Sequence, residues 1–230
     1  MKLEGRTAIV TGATGGLGKA VVQRLLAEGA TTAAIGRRAD FSLPIPSDGK
    51  LFYFSADLTD EAATEKVFER IHRELPPTVL LAHLVGGFYG GTPVQETPLA
   101  EWRRMMELNA TSAFLCCRAA LRRMEPGGAL IAVAADSALR PKAGIAAYAA
   151  AKTALIALMQ TIAEEEAARR IRANVIAPSI ILTDANRRDM PEADVSRWTT
   201  PEEIADAIVF LAGNEAVSGT VLRLPLKGTM

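Results

Sequence analysis

Short apolar runs rich in β-branched residues alternate with longer stretches of helical periodicity, and no other feature restricts the fold of this chain as strongly. The runs TAIVTG, TTAAIG, LFYFSAD, TVLLAHLV, GALIAVAA, IRANVIAP and GTVLRLPL read as strands. Between them GLGKAVVQRLLAEGA, DEAATEKVFERIHREL, the long PLAEWRRMMELNATSAFLCCRAALRRM, AAYAAAKTALIALMQTIAEE and PEEIADAIVFLAG read as helices. Repeated strand–helix–strand order requires crossover connections, which make the strands parallel and place helices on both faces of one sheet. The expectation is a doubly wound α/β fold, with residues 1–230 as a single domain.

Two segments break the rhythm. ADFSLPIPSDGK, carrying Pro44 and Pro46, is too short and too interrupted for a helix, so this crossover is expected to be a loop. The polar segment TDANRRDMPEADVSRWTTPEE, between the sixth strand and the last helix, is the candidate substrate lid, around 184–200.

Composition excludes several classes of function. The 26 basic and 26 acidic side chains cancel, so neither nucleic acid nor an anionic membrane is an expected partner. Cys116 and Cys117 are adjacent in a helical pattern, poorly placed for a disulfide, and no Cys/His cluster has metal-ligand spacing, so no metal site is expected. No apolar run is read as a membrane span, and the expectation is a reduced, cytoplasmic protein.

TGATGGLG follows the first strand and opens the first helix. Gly12, Gly16 and Gly18, with Thr14 and Leu17 among them, stand where a backbone must turn sharply and approach a pyrophosphate. The spacing Gly-x-x-x-Gly-x-Gly departs from the commoner Gly-x-Gly-x-x-Gly, but its place at the first strand-to-helix junction favours a dinucleotide cradle over a plain tight turn. At the end of the second strand, where an NAD-binding chain keeps an acid for the ribose diol, stand Gly36, Arg37 and Arg38. An arginine there pairs with a 2′-phosphate, which favours NADP(H) over NAD(H); the alternative is a solvated turn charge. Asp57, after the third strand, falls near the adenine edge.

Tyr148 and Lys152, in YAAAK, lie one helical turn apart on one face. A phenol titrates near pH ~10, and a neighbouring ammonium favours its ionised form, so the pair reads as a proton donor and its tuner. A surface pair at the same spacing is the bland alternative.

Together TGATGGLG, Asp57, Asn109, YAAAK and NVIAPSIILT resemble the short-chain dehydrogenase/reductase family over nearly the whole chain. The resemblance implies a Rossmann-type sheet, with Tyr148 as proton donor or acceptor and Lys152 holding the nicotinamide ribose while lowering the tyrosine's pKa. It further implies Asn109 as the anchor of a proton-relay water and Thr183 as the residue that holds the nicotinamide carboxamide. Family members pair long helices between subunits, so a homodimer or homotetramer is expected.

The departures narrow the reading. HLVG replaces the family's Asn-Asn-Ala-Gly, and His83 is read as a structural brace. The family's catalytic serine position is Ala135, while Ser137, two residues on, shares its side if the chain stays extended and is then a substitute hydroxyl. VGGFYGG and NRRDMPEADVSRW resemble the dihydropteridine reductase branch, which works without that serine, although its best-known members carry an acid where Arg37 stands. Phe88, Tyr89, Met190 and Trp198 are candidate walls for a small-molecule substrate, with core or interface packing as the alternative for each. Three functions follow: an NADPH-dependent reductase of a small carbonyl or imine-type substrate, a quinonoid dihydropteridine reductase, or an NADPH-binding sensor without turnover.

Overall fold

A computed structural model describes residues 3–38 and 50–229. The seven strands are β1 Thr7–Thr11, β2 Thr31–Gly36, β3 Leu51–Ser55, β4 Thr78–His83, β5 Ala129–Val133, β6 Arg172–Pro178 and β7 Val221–Leu224. They form one parallel sheet in the order β3-β2-β1-β4-β5-β6-β7. β1, β2, β4, β5 and β6 are buried along their whole length, which is why they read as continuous apolar runs rather than as alternating ones. The order reverses between β1 and β4, the kind of point at which doubly wound sheets receive a ligand at the carboxyl ends of their strands. The proline-bearing crossover between β2 and β3 falls at 39–49, outside the described residues.

Helices α1 Gly16–Ala27 and α7 Pro201–Gly213 close one apolar core over β1, β4 and β5, built around Val21, Leu25, Leu80, Ile131, Ile204 and Ile208. On the other face α2 Glu61–Glu74, α4 Ser112–Leu121 and α5 Ala146–Glu165 enclose a second, with Phe68, Ile71, Cys116, Leu130, Leu155 and Met159. Both cysteines lie free in that core. With 20 residues and a mean hydropathy of 1.3, α5 meets the length and apolarity of a membrane span, contrary to the expectation from sequence. Half of its most apolar 18-residue window is buried within the fold, and the helix contacts β5 and β6.

The long helix expected before β5 is divided. α3 Leu99–Met106 passes into a π-helical turn over Glu107–Thr111 before α4 begins. Widening the turn frees carbonyl groups, and side chains take them up: Asn109 Nδ2 donates to Met105 O at 3.0 Å and Ser112 Oγ to Leu108 O at 2.7 Å. The turn directs Asn109 inward.

The polar segment after β6 folds into the short α6 Asp184–Asp189 and a 3-10 turn over Val195–Arg197. It is fastened at its base, where Leu182 N donates to Thr199 O at 2.8 Å and Thr199 N to Ile180 O at 3.0 Å. Trp198, expected on a substrate wall, is only 2% exposed and belongs to this base. An indole beside a paired β-bridge is removed from water together with the backbone it covers, whereas Met190 stays half-buried further out. Trp198→Ala is therefore expected to lower folding stability by about 3–5 kcal/mol in urea unfolding. An unchanged unfolding midpoint would return Trp198 to the substrate wall.

Candidate active site

The cradle after β1 is shaped by contacts that only glycine allows. Gly12 has a φ of +68°, and a Cβ there would lie 3.2 Å from the backbone of Leu84 and Val85 at the end of β4. A Cβ on Gly18 would lie 2.2 Å from Gly12 O and 2.6 Å from Ala13 Cα, so α1 and the turn touch backbone to backbone. α1 starts at Gly16 with no side-chain cap and no acid in its first turn, which leaves N–H groups open at the carboxyl end of β1. Thr14 is half-buried and its methyl would meet a Cβ on Gly36 at 2.6 Å; Leu17 packs its side chain on the α1–α7 core. Thr183 caps α6 by accepting from Asn186 N at 3.2 Å, and its methyl stands 3.3 Å from where a Gly16 Cβ would be. Thr183 thus closes the cradle from the β6 side.

Just after β2 the side chains of Arg37 and Arg38 are exposed. Asp57 accepts from Thr59 N at 3.0 Å and Thr59 Oγ1 at 2.8 Å. These bonds, with a smaller contribution from the Arg37 charge, hold its carboxyl below the usual range.

Tyr148 and Lys152 project from the first two turns of α5. Lys152 is buried, and its Nζ donates to Val133 O at 2.9 Å, the last residue of β5. The expected direct tuning of the phenol by the lysine is not what governs this arrangement. Burial pushes the Tyr148 phenol up to about 12 and the Lys152 ammonium down to about 8. Desolvation is the cause of both shifts, and the lysine's hydrogen bond goes to the Val133 carbonyl.

Asn109, wholly buried, clasps Gly87 in both directions, Oδ1 accepting from Gly87 N at 3.2 Å and Nδ2 donating to Gly87 O at 3.1 Å. A Cβ on Gly86 would lie 2.7 Å from Asn109 Oδ1 and 3.0 Å from Lys152 Nζ, so this glycine lets the amide, the ammonium and the strand-end backbone converge. His83 braces the sheet as expected. Its Nδ1 lies 3.1 Å from Thr11 Oγ1, which also accepts from Leu84 N at 3.1 Å. Burial and the nearby Lys152 charge push the imidazole down to about 3, so it is neutral.

A cavity of about 470 Å³ opens beside Tyr148. Phe88, Ala135, Ser137 and Met190 line it, and Trp198 does not. Ser137 arrives by a different route from the one expected. β5 ends at Val133, and Asp136–Ala138 form a 3-10 turn, so strand alternation does not relate Ser137 to Ala135; the turn nevertheless brings both to the cavity. Sequence reasoning missed Ile145, Asn186 and Asp136, which also line it. Ile145 lies three residues before Tyr148, a helical-face spacing that marks it in retrospect. The pairing of Asp136 with Arg223 Nε at 2.8 Å joins residues far apart in sequence and leaves no local signal. A larger cavity of about 780 Å³, with Arg6, Glu125, Arg172 and Glu215, lies at the opposite edge of the sheet, away from Tyr148 and the cradle.

The glycine contacts predict a graded effect on nucleotide binding. Gly18→Ala should weaken NADPH binding at least tenfold in a fluorescence titration, because backbone must move. Gly16→Ala, which meets only a threonine methyl, should cost severalfold less, and equal effects would contradict the backbone contact.

Residues 6–194 match the family model for short chain dehydrogenases. The 3-oxoacyl-acyl-carrier-protein reductase FabG of Escherichia coli is 32% identical over 245 residues, covering 100% of this chain and 99% of the relative. D-threitol dehydrogenase of Mycolicibacterium smegmatis is 29% identical over 231 residues, covering 94% and 88%. Among solved structures, a short-chain type dehydrogenase/reductase from Mycobacterium ulcerans superposes with a TM-score of 0.89 at 25% identity, covering 98% of this chain and 90% of the other. A blue fluorescent protein from a metagenomic library, in complex with NADPH, superposes with a TM-score of 0.87 at 30% identity and full coverage of both chains. The chain, with its parallel sheet, glycine cradle and Tyr148–Lys152 helix, belongs to the short-chain dehydrogenase/reductase family and is an oxidoreductase.

Proposed function

We propose that the protein is an NADPH-dependent reductase that transfers hydride to a small carbonyl or imine-type substrate, with Tyr148 donating the proton. The observation that carries this reading is the shared cavity: the Tyr148 phenol, the Ser137 hydroxyl and a largely apolar wall face one space of about 470 Å³ at the carboxyl edge of the sheet.

The cradle fits a dinucleotide, since the close approaches at Gly12 and Gly18 fix a side-chain-free turn before α1, whose N-terminus carries no side-chain cap and no acid. Gly12, Thr14, Gly16, Leu17 and Gly18 are assigned to the pyrophosphate, Asp57 to the adenine edge and Thr183 to the carboxamide. Arg37 is assigned to the 2′-phosphate. The NADPH bound by the blue fluorescent relative supports that choice. The nicotinamide supplies the hydride when bound.

The chain's own part is to place and protonate. Lys152, anchored on Val133 O, is assigned to the nicotinamide ribose and to stabilising charge that develops on the Tyr148 oxygen. Asn109 retains one lone pair of Oδ1 beyond its clasp of Gly87, and this is assigned to the relay water. Ser137, which makes no protein hydrogen bond among the described residues, is the available hydroxyl for orienting the reacting group. A quinonoid dihydropterin is the second substrate reading, favoured by Ala135 in the cavity and by Phe88 and Met190 facing it. We also assign a homo-oligomeric state, supported by the exposed Leu99, Trp102 and Phe114 along α3 and α4.

Tyr148→Phe should abolish turnover of a ketone panel or a quinonoid dihydropterin while leaving NADPH affinity within about twofold, since only the proton donor is removed. Retained turnover would sink the proton-donor reading. Arg37→Ala should reduce a preference for NADPH over NADH that is about tenfold in the parent, the scale of one charge-assisted pair. A parent protein that binds the two equally would refute the assignment of Arg37.

A further inference from the structure

Phe88 is out of place by burial alone. It is 63% exposed, yet its ring is held from several sides. The ring stands edge-on to Tyr148, with centroids 5.0 Å apart and planes at 74°. It also lies against the Gly90 backbone and beside Ile145: a Cβ on Gly90 would be 2.7 Å from Phe88 Cζ and 2.8 Å from Ile145 Cγ2.

The segment that carries it is clamped at both ends. Gly87 is gripped by Asn109, while Gly91 N and Thr92 N donate to Gly144 O, just before α5, at 2.9 and 3.3 Å. Between these ends Arg104 Nη2 donates to Phe88 O at 3.4 Å, and the Tyr89 hydroxyl pairs with Thr92 Oγ1 at 2.9 Å. Gly86 and Gly87 let the strap lie close to Lys152 on α5 and to Met105 and Leu108, Gly90 makes room for the Phe88 ring beside Ile145, and Gly91 turns the chain at a φ of +90°, so an exposed aromatic is carried to one fixed place above the phenol.

We propose that Phe88 is a positioning residue for Tyr148: its ring fixes the phenol edge-on and screens it from water on the cavity side, and so sets the pH range in which the tyrosine holds its proton. The proposal rests on the reading of Tyr148 as proton donor and adds a residue that acts through it. Burial already holds the phenol above its ordinary range. Water admitted by loss of the ring stabilises the phenolate and lowers that value. The charged groups on the same cavity are Asp136 and Lys142 before α5 and Asp189 on α6. Asp136 is paired to Arg223, Lys152 lies one turn along α5, and neutral His83 lies within the field of Lys152. Arg104 reaches the strap from α3. None of these contacts involves the Phe88 side chain, so replacing the ring changes hydration without removing a charge.

The test is a fluorinated tyrosine at position 148, which titrates at lower pH than tyrosine and reports its ionisation through its fluorine resonance without turnover. Phe88→Ala should lower the titration midpoint by about one pH unit. Phe88→Leu, which keeps apolar cover, should leave it near the parent value. A midpoint in Phe88→Ala equal to the parent's would overturn the proposal, as would an equal fall in both variants. The companion measurement is the alkaline limb of reductase kcat/KM, which should shift down with the midpoint, because the reduction requires the protonated phenol. A shifted midpoint with an unmoved limb would uphold the screening by Phe88 and contradict the proton-donor role of Tyr148 instead.

Discussion

The bond from Lys152 Nζ to Val133 O holds the arrangement together. It ties the first turns of α5 to the carboxyl end of β5, and so fixes where Tyr148 stands relative to the edge of the sheet. Burying an ammonium is expensive unless its protons are accepted, and here one carbonyl does part of that work. Burial nevertheless pushes the ammonium down to about 8. Burial, with a smaller contribution from the same charge, keeps His83 neutral, and a neutral imidazole can brace β4 against β1 without a counter-ion.

Around that bond the site is built by removing side chains as much as by supplying them. Gly86 makes room between Asn109 and Lys152, Gly18 lets α1 touch the turn after β1, and Gly90 gives Phe88 a flat backbone to lie on. Each glycine brings a great loss of chain entropy on folding, which the fold offsets through the two apolar cores on either face of the sheet. The π-helical turn belongs to the same set: it weakens the helix locally in order to turn Asn109 toward the strap.

Much of this was legible in the residues. Continuous apolar runs such as TVLLAH mark strands buried on both faces, and the turn TGATGGLG marks the cradle by its place after the first of them. The interruption of the long helix was not legible, because ELNAT has no proline or glycine to announce it and the bond that Asn109 makes from it goes to Gly87, outside the helix. Trp198 in a polar segment reads as a substrate wall or as packing, and the choice between them follows from a bridge between Ile181 and Thr199 that no local pattern encodes. Ser137 was placed beside Ala135 by strand alternation, yet it reaches the cavity because the strand has ended. The order of the Tyr148 and Lys152 ionisations also depends on burial, which spacing alone does not contain.

The central claim is that a protonated Tyr148, set by the Lys152–Val133 bond, gives up its proton as hydride reaches the substrate. Its most direct test is single-turnover oxidation of NADPH by the wild-type protein with a reducible ketone, followed in light and heavy water with both protiated and hydride-position-deuterated NADPH. The account predicts that the two isotopic substitutions slow the same step, so that the solvent effect remains when the hydride is deuterated. A hydride-transfer step indifferent to heavy water would contradict it.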